Sequence, residues 1–343
     1  MTQYNIAVLG ATGAVGQELL SILVERQFPY SELRLLASPR SAGRRVAVGG
    51  RDYLVEAVSA EAFQGIDFAF FCAGGSVSQC WAEEAVRAGA IVIDNTSAFR
   101  LAPDVPLVVP EVNGEAALAH RGIIANPNCS TIIMVMALKP ILDEAGIKRV
   151  VVSTYQAVSG AGFAAMEELR RQAEDYVMGR ELEAKVLPVA SGQRHYPIAF
   201  NLIPQIDVFA EDGYTKEEWK MVRETQKILG ITDLPITATT VRVPTMRSHC
   251  EAVNVETERP MSPERCREIL AQFPGVKVLD SPEEQAYPMP QFTSGLDEVY
   301  VGRIRKDPTV PYGLNLWIVG DQIRKGAALN AVQIAEYVTR QMG

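Results

Sequence analysis

The chain has 343 residues, of which 48% are hydrophobic and 22% are charged, a composition typical of a soluble globular protein with about two domains. A formal net charge of −8 argues against binding to nucleic acid or to an anionic membrane, because a surface that follows phosphates needs an excess of basic residues. The sequence contains no run of 18 apolar residues and does not start with a basic segment followed by an apolar one, so we expect a cytoplasmic protein.

The first 130 residues alternate between short apolar runs and helical patterns. The apolar runs are continuously hydrophobic, as in strands that are buried on both faces of a parallel sheet. Predicted strands lie at residues 5–9, 34–37, 66–72, 91–94 and 122–125. Predicted helices lie at residues 14–25 and 81–88, and a further helix is expected after residue 128. This alternation predicts an α/β, Rossmann-like domain with a doubly wound parallel sheet.

After residue 149 the sequence becomes rich in β-branched and alternating residues, which is typical of a second, mixed sheet. Predicted strands lie at residues 150–156, 186–190, 236–243, 251–256 and 298–304, and predicted helices at 164–176, 216–229 and 329–341. We therefore predict a dinucleotide domain over residues 1–130, completed by the C-terminal segment 321–343, and an α+β domain over residues 131–320.

Glycines punctuate the turn between the first predicted strand and the first predicted helix, in the run GATGAVG at residues 10–16. Glycines at such a turn let the backbone approach a pyrophosphate, and the N–H groups at the helix start meet its charge. The spacing departs from G-x-G-x-x-G, and a tight connection without a ligand is the alternative. The position at the start of an α/β pattern favours a cofactor site formed by Gly10, Thr12, Gly13, Ala14 and Val15.

The end of the second predicted strand indicates which dinucleotide binds. NAD-binding proteins usually place an acidic residue there for the ribose 2′-hydroxyl, whereas this chain has Arg40 and Ser41 and no acid before Asp52. A guanidinium and a hydroxyl suit a 2′-phosphate, so we predict NADP(H). An ordinary solvated arginine in a loop is the alternative.

A candidate nucleophile stands in the run NPNCST at residues 126–131, directly before an apolar stretch. A helix that starts here would stabilise the thiolate of Cys129 through its dipole and its unpaired N–H groups. A buried structural cysteine is the alternative. The five cysteines are scattered without a C-x-x-C pair, so we predict neither disulfides nor a metal site.

Histidine is the usual acid or base partner of such a thiol, and the chain has three. His249 lies between two strand patterns, on or beside a loop where catalytic groups are common. His120 and His195 have polar surroundings and are more easily surface residues. These features favour His249 as the partner of the candidate nucleophile.

Six segments spread in order over nearly the whole chain resemble the aspartate-β-semialdehyde dehydrogenase family: GATGAVG, NPNCST, TYQAVSGAG at 154–162, the helix with Glu217 and Lys220, residues 242–251, and the closing GDQIRKGAALNAVQIAE. The resemblance implies conversion of L-aspartyl-4-phosphate and NADPH to L-aspartate-4-semialdehyde, NADP and phosphate, at the branch point toward lysine, methionine and threonine. It also implies that the second domain is catalytic and mediates dimerisation, in a homodimer or homotetramer.

The resemblance assigns a role to each site residue. Cys129 would form a thioester, His249 would act as general acid/base and Gln156 would orient the substrate or support the oxyanion. Substrate contacts would come from Arg242 for the α-carboxylate, Arg100 and Lys220 for the phosphate, Glu217 for the ammonium, and Asn128. Ser159, Gly160 and Asn315 would complete the cofactor site. Ser248 departs from the resemblance, because many family members have glycine before the histidine.

Other functions are compatible with parts of this pattern. An N-acetyl-γ-glutamyl-phosphate reductase runs the same chemistry on a substrate without a free ammonium, which would leave Glu217 without a purpose. A non-catalytic dinucleotide-binding sensor would tolerate loss of the Cys129 thiol. A cysteine hydrolase would need no glycine-rich loop.

Overall fold

A computed structural model describes residues 2–342 of the chain. Its strands in chain order are β1 (Tyr4–Leu9), β2 (Tyr30–Ala37), β3 (Arg45–Val48), β4 (Arg51–Ala57), β5 (Phe68–Phe71), β6 (Ile91–Asp94), β7 (Ile123–Ala125), β8 (Ile147–Gln156), β9 (Ile236–Arg242), β10 (His249–Thr257), β11 (Val276–Val278), β12 (Val299–Asp307) and β13 (Gly313–Gly320). Its α-helices are α1 (Ala14–Glu25), α2 (Gly75–Arg87), α3 (Pro110–Asn113), α4 (Cys129–Ala145), α5 (Phe163–Val177), α6 (Lys216–Leu229), α7 (Pro263–Gln272), α8 (Pro290–Thr293) and α9 (Leu329–Met342).

The chain divides into two compact units. The first comprises residues 1–128 and 326–343, and the second comprises residues 129–325. The domain bounds expected from the sequence differ from these limits by a few residues. Within residues 2–342, no helix has the length and apolar character needed to cross a membrane.

The first unit is built on a seven-stranded sheet with the order β3-β4-β2-β1-β5-β6-β7. All neighbouring strands are parallel except the β3–β4 pair. Both faces are buried: Ile6 and Val8 of β1 belong to one apolar cluster, and Ala7 and Leu9 belong to another on the opposite face. The strand order reverses between β1 and β5, and open α/β sheets bind ligands at the carboxyl ends of the strands at such a point.

The second unit is built on a six-stranded mixed sheet with the order β11-β12-β13-β10-β8-β9. The β11–β12 and β8–β9 pairs are parallel and the other neighbours are antiparallel. Helix α4 packs on β10, β12 and β13 and also contacts α6 and α7. A side chain at Gly320 would meet Ile133 of α4, so the residue paired with Gly320, His249, also faces α4.

The predicted fold class, a Rossmann-like parallel sheet followed by an α+β unit with a mixed sheet, is confirmed. The strand predicted at residues 186–190 is wrong, because this segment has no strand structure. The carboxylate of Glu168 accepts hydrogen bonds from the amides of Lys185 and Val186, and Pro188 has no N–H. The segment therefore has few donors left for a strand ladder.

Candidate active site

Cys129 is the first residue of α4, and its side chain is half-buried. The N–H groups of a first helical turn have no partners within the helix, so the positive end of the helix dipole lies at this thiol. The guanidinium of Arg242 also interacts electrostatically with Cys129. Both influences favour the thiolate, which is the nucleophilic form of cysteine.

Three predicted site residues lie side by side at one end of the mixed sheet, and we call His249, Gln156 and Arg242 the sheet-end row. Gln156 and Arg242 are register partners on β8 and β9. His249 begins β10, the other neighbour of β8, where the next residue, Cys250, pairs with Tyr155. All three side chains of the row are buried. The row thus brings an imidazole, an amide and a guanidinium together under the helix that begins at Cys129.

The imidazole of His249 is held by a backbone amide. The N–H of Ala157 donates to Nδ1 at 3.1 Å, and since a backbone amide can only donate, the proton of the neutral ring resides on Nε2. Nε2 is buried and has no hydrogen-bond partner among the described residues. Burial, together with the positive charge of Arg242, lowers the pKa of His249 to about 3. His249 is therefore a neutral imidazole that presents an N–H donor.

The guanidinium of Arg242 is anchored on one side only. Its NH1 group donates to the carbonyl of Ala157 at 2.7 Å, whereas its buried Nε has no hydrogen-bond partner among residues 2–342. Burial lowers the pKa of Arg242, and the negative charges of Glu217 and Cys129 oppose that shift. Arginine stays protonated in proteins, so Arg242 is a buried cation with donor capacity left for an anion.

Glu217 and Lys220 lie one turn apart on α6, which begins at a capping box formed by Thr215 and Glu218. The Glu217 carboxylate accepts from Gln156 Nε2 at 3.3 Å and from Lys220 Nζ at 3.1 Å. It is 5% exposed, so the pair is not the surface ion pair that the sequence left open as an alternative. Glu217 thus connects α6 to the sheet-end row.

Asp207 completes this charged group, and the sequence analysis missed it. Its Oδ2 accepts from Lys220 Nζ at 2.9 Å. Burial opposes the charge of Lys220, but the two carboxylates outweigh burial and raise the pKa of that amine. Asp207 lies in a loop, and no pattern around it in the sequence signals the contact.

The turn after β8 packs closely on the sheet-end row. A side chain at Gly160 would lie 2.9 Å from NH1 of Arg242 and 3.3 Å from Nε2 of His249, so any other residue there would displace one of these groups. The hydroxyl of Ser159 accepts a hydrogen bond from Gln322, a second residue that the sequence analysis did not single out. The predicted cofactor residues Ser159 and Gly160 therefore lie beside His249.

The glycine-rich loop of the first unit borders a cavity of about 490 Å³ at the carboxyl ends of β1 and β5. Gly10 has a φ of 93°, and a side chain there would lie 2.7 Å from the backbone of Cys72. Helix α1 begins at Ala14 without a side-chain cap from Gly13, and the amides of a first helical turn have no partners within the helix. The cavity is lined by Leu9, Gly10, Thr12, Gly13, Ala37, Ser38, Pro39, Ser41, Val58, Cys72, Ala73, Val77 and Trp81. These features fit a dinucleotide, and the exposed Arg40 adjoins the lining residues Pro39 and Ser41.

Arg100 and Asn128 belong to the first unit, and both are buried. Arg100 donates to the carbonyls of Asn126 at 2.9 Å and Asn95 at 2.8 Å. Asn126 in turn accepts from Asn330 of α9 at 2.7 Å. In the first unit, therefore, Arg100 and Asn330 fix the segment that leads to the nucleophile.

The structure does not bring Asn315 to the predicted site. It lies within β13 opposite Asn254, and its Oδ1 accepts from Nδ2 of Asn254 at 3.1 Å. The sheet-end row is level with Gly320 at the far end of the same strand. The predicted cofactor role of Asn315 gains no support from this position, because its side chain forms a hydrogen bond to the neighbouring strand of the sheet.

Histidines other than His249 have ordinary surroundings. His120 accepts from the amide of Gly122 at 3.0 Å, and His195 lies 3.2 Å from the carbonyl of Val189. Among the described residues, no group of three or more histidine, cysteine, aspartate and glutamate side chains is arranged to hold a metal ion.

Comparison with known proteins identifies the family. Residues 5–120 match the model of the semialdehyde dehydrogenase NAD-binding domain, and residues 138–325 match that of the semialdehyde dehydrogenase dimerisation domain. The aspartate-semialdehyde dehydrogenase of Aquifex aeolicus is 54% identical in an alignment 342 positions long, which covers 98% of each chain. That of Bacillus subtilis is 52% identical over 97% of this chain and 96% of its own. The chain belongs to the aspartate-semialdehyde dehydrogenase family.

A solved structure of aspartate-semialdehyde dehydrogenase II from Vibrio cholerae agrees with this assignment, with a TM-score of 0.94, 48% identity and 99% of each chain covered. The resemblance seen in the sequence is thereby confirmed. As a member of this family the chain is an oxidoreductase of amino-acid biosynthesis with a domain for a nicotinamide dinucleotide. Its second unit carries the family's dimerisation domain, which supports oligomerisation.

Proposed function

We propose that the chain catalyses the NADPH-dependent reductive dephosphorylation of L-aspartyl-4-phosphate to L-aspartate-4-semialdehyde, through a thioester on Cys129, in lysine, methionine and threonine biosynthesis. The observation that carries the proposal is the placement of Cys129 at the start of α4, in electrostatic contact with the buried Arg242 of the sheet-end row. Relatives about half identical bear the name of this activity, and a Vibrio cholerae relative has been solved in complex with ASA.

Substrate binding follows from the charges around the row. Arg242 keeps its buried Nε for an anion, and a planar guanidinium suits the α-carboxylate of an amino acid. Glu217 is the nearby carboxylate for the α-ammonium, and Lys220 lies next to it on α6. We assign Lys220, Arg100 and Asn128 to the acyl phosphate and its carbonyl.

The chemistry then divides among the protein groups. The Cys129 thiolate forms a bond to the acyl carbon as the bond to phosphate breaks, and the amides at the start of α4 and the Gln156 side chain stabilise the oxyanion. The reduced nicotinamide, when bound, supplies the hydride that converts the thioester to a thiohemiacetal. Because His249 is neutral and its Nδ1 accepts from Ala157, its Nε2–H donates a hydrogen bond to the substrate oxygen and stabilises the negative charge there until the carbon–sulfur bond breaks.

The residues assigned to the cofactor fall into three groups. Gly10, Thr12, Gly13, Ala14 and Val15 would hold the pyrophosphate, because the cavity and the uncapped start of α1 suit an anion. Arg40 and Ser41 would bind the 2′-phosphate, which makes NADP(H) the preferred cofactor. Ser159 and Gly160 would lie against the nicotinamide, since their turn packs on His249.

The assembly is proposed to be a homodimer or homotetramer formed through the second unit, because that unit matches the family's dimerisation domain. Phosphate is a product of the proposed reaction and a substrate of its reverse. The cytoplasmic location stays a prediction.

A phosphate-dependence assay tests the proposal. Purified protein with aspartate semialdehyde should reduce NADP faster than NAD, and only when phosphate or arsenate is present. Cys129→Ser should reduce the rate by at least about 10³-fold, because the nucleophile is lost, whereas the exposed Cys80→Ser serves as a matched control and should leave it unchanged. Activity only with N-acetylglutamate semialdehyde would replace this function with that of the acetylated-substrate reductase.

A further inference from the structure

Ser248, the residue before His249, has an unusual backbone conformation. Its φ is 71°, in the left-handed region that favours glycine, and the residue is completely buried. A serine adopts such a conformation only when its surroundings hold it there. The contacts of its hydroxyl and its amide show which groups do so.

The hydroxyl of Ser248 is fully used. Thr293 Oγ1 donates to Ser248 Oγ at 3.1 Å, sharing its one proton with the carbonyl of Met289 at 3.2 Å, and Ser248 Oγ lies 3.1 Å from Ser294 Oγ. Because Ser294 directs its own hydroxyl proton to the carbonyl of Pro290 at 2.7 Å, Ser248 must donate to Ser294. One accepted and one donated bond therefore tie Ser248 to the end of α8.

The amide of Ser248 is tied to a different segment. It donates to Oε1 of Gln322 at 2.8 Å, and the other end of that side chain donates to Ser159 Oγ. Ser159 lies in the turn whose first residue, Ala157, donates to Nδ1 of His249. The imidazole is thus fixed from two directions, by Ala157 at the ring and by Ser248 at the backbone.

We propose that Ser248 is a positioning residue for the reaction: its hydroxyl, clamped by Thr293 and Ser294, holds the left-handed turn that aims Nε2–H of His249 at the substrate oxygen. The inference rests on the proposed function in that His249 must act on the substrate. A displacement of about 1 Å at a reacting group can cost about 10²-fold in rate, so a clamp on the adjacent residue has a measurable effect on catalysis.

Steady-state kinetics with aspartate semialdehyde, phosphate and NADP test the clamp. S248A removes both hydroxyl bonds and keeps the strained φ, so kcat should fall by about 10-fold or more with a smaller change in KM. S248G accepts φ of 71° without strain, so its Tm should exceed that of S248A while its kcat stays low. T293V should also lower kcat, although Thr293 is distant from Ser248 in the sequence.

Thr257 supplies the matched control. It lies at the other end of β10, is buried, and donates through its hydroxyl to the carbonyls of Arg259 and Tyr312. T257V should therefore lower Tm without lowering kcat. The proposal is overturned if kcat follows Tm across all four variants, since Ser248 would then have only a structural role.

A second readout does not depend on activity. The chain has three histidines, so ¹⁵N-histidine NMR resolves few ring signals, and those of His249 can be assigned by their loss in H249N. In S248A and T293V they should shift or split, while those of His120 and His195 stay in place. Unchanged His249 signals would overturn the proposal, whereas an inactive wild-type enzyme with shifted signals would overturn only the proposed function.

Discussion

The reactivity expected of Cys129 depends on the position of its thiol in the fold. The thiol stands at the start of α4 and in electrostatic contact with Arg242, whereas Cys250 and Cys266 are buried within the second unit. Burial raises the pKa of both buried thiols to about 12, so neither forms much thiolate at neutral pH. The local environment thus separates one cysteine chemically from others in the same unit.

Alkylation measures this difference. At pH 7, iodoacetamide should label Cys129 faster than Cys72, Cys80, Cys250 or Cys266, as followed by peptide mass spectrometry over time. Arg242→Met should slow labelling of Cys129, because the variant removes the neighbouring cation, and should leave labelling of Cys80 unchanged. Faster labelling of the exposed Cys80 than of Cys129 in the wild type would contradict the assignment of the nucleophile.

His249 links the site to the pH dependence of stability. Its folded-state pKa of about 3 lies below the ordinary value near 6.5, so the unfolded chain binds the proton more readily between these pH values. Stability should therefore fall as the pH drops below about 6.5, and at pH 5 this one residue should cost roughly 2 kcal/mol. Urea unfolding at pH 7 and pH 5 should show a smaller loss for H249Q than for the wild type. Equal losses would mean that His249 is not a buried neutral imidazole.

Strand β10 carries a second titrating group, Glu251, whose effect on the pH dependence of stability is opposite to that of His249. Glu251 lies two residues after His249 on the same face, is completely buried, and has no hydrogen-bond partner among residues 2–342 for either oxygen. Burial raises the pKa of this carboxyl well above its ordinary range, so the folded state keeps the proton that the unfolded chain releases. The strand therefore holds a buried carboxyl whose neutral form is favoured by its surroundings.

The expected effect is measurable in the unfolding free energy. Stability from the protonated Glu251 is fully present below its unfolded pKa and is lost as the pH rises, so E251Q should gain stability relative to the wild type between pH 4.5 and pH 8. Denaturant unfolding across this range checks the slope. A difference that does not change with pH would show that Glu251 has the same charge in both states.

At the level of whole elements, sequence periodicity located α1, α6 and β6 at their observed limits. Helix α6 shows why: its apolar positions recur with helical spacing, and Thr215 and Glu218 form a capping box that is visible in the sequence. Strand β13 was missed, and its Asn315 was assigned to the cofactor. The partner that explains Asn315 is Asn254, and pairing over such a sequence distance leaves no local pattern.

The same limit applies to the site as a whole. Sequence reasoning found Cys129, His249 and Arg242, because a thiol before an apolar run, an imidazole beside a strand and a family motif are local signals. It missed Asp207 and Gln322, because a carboxylate or an amide has no distinctive role until folding places it beside Lys220 or Ser248. Reactive groups are thus visible in the sequence, while the residues that orient them become visible only with the fold.

At the level of the whole molecule, we propose that turnover passes through a thioester on Cys129 that phosphate or arsenate releases efficiently. Rapid mixing of the enzyme with aspartate semialdehyde and NADP, without phosphate, tests it by the absorbance of NADPH. We expect a burst of about one NADPH per Cys129 followed by a much slower rate, steady turnover once phosphate is added, and no burst in C129S. Undiminished turnover without phosphate, or a burst that persists in C129S, would contradict it.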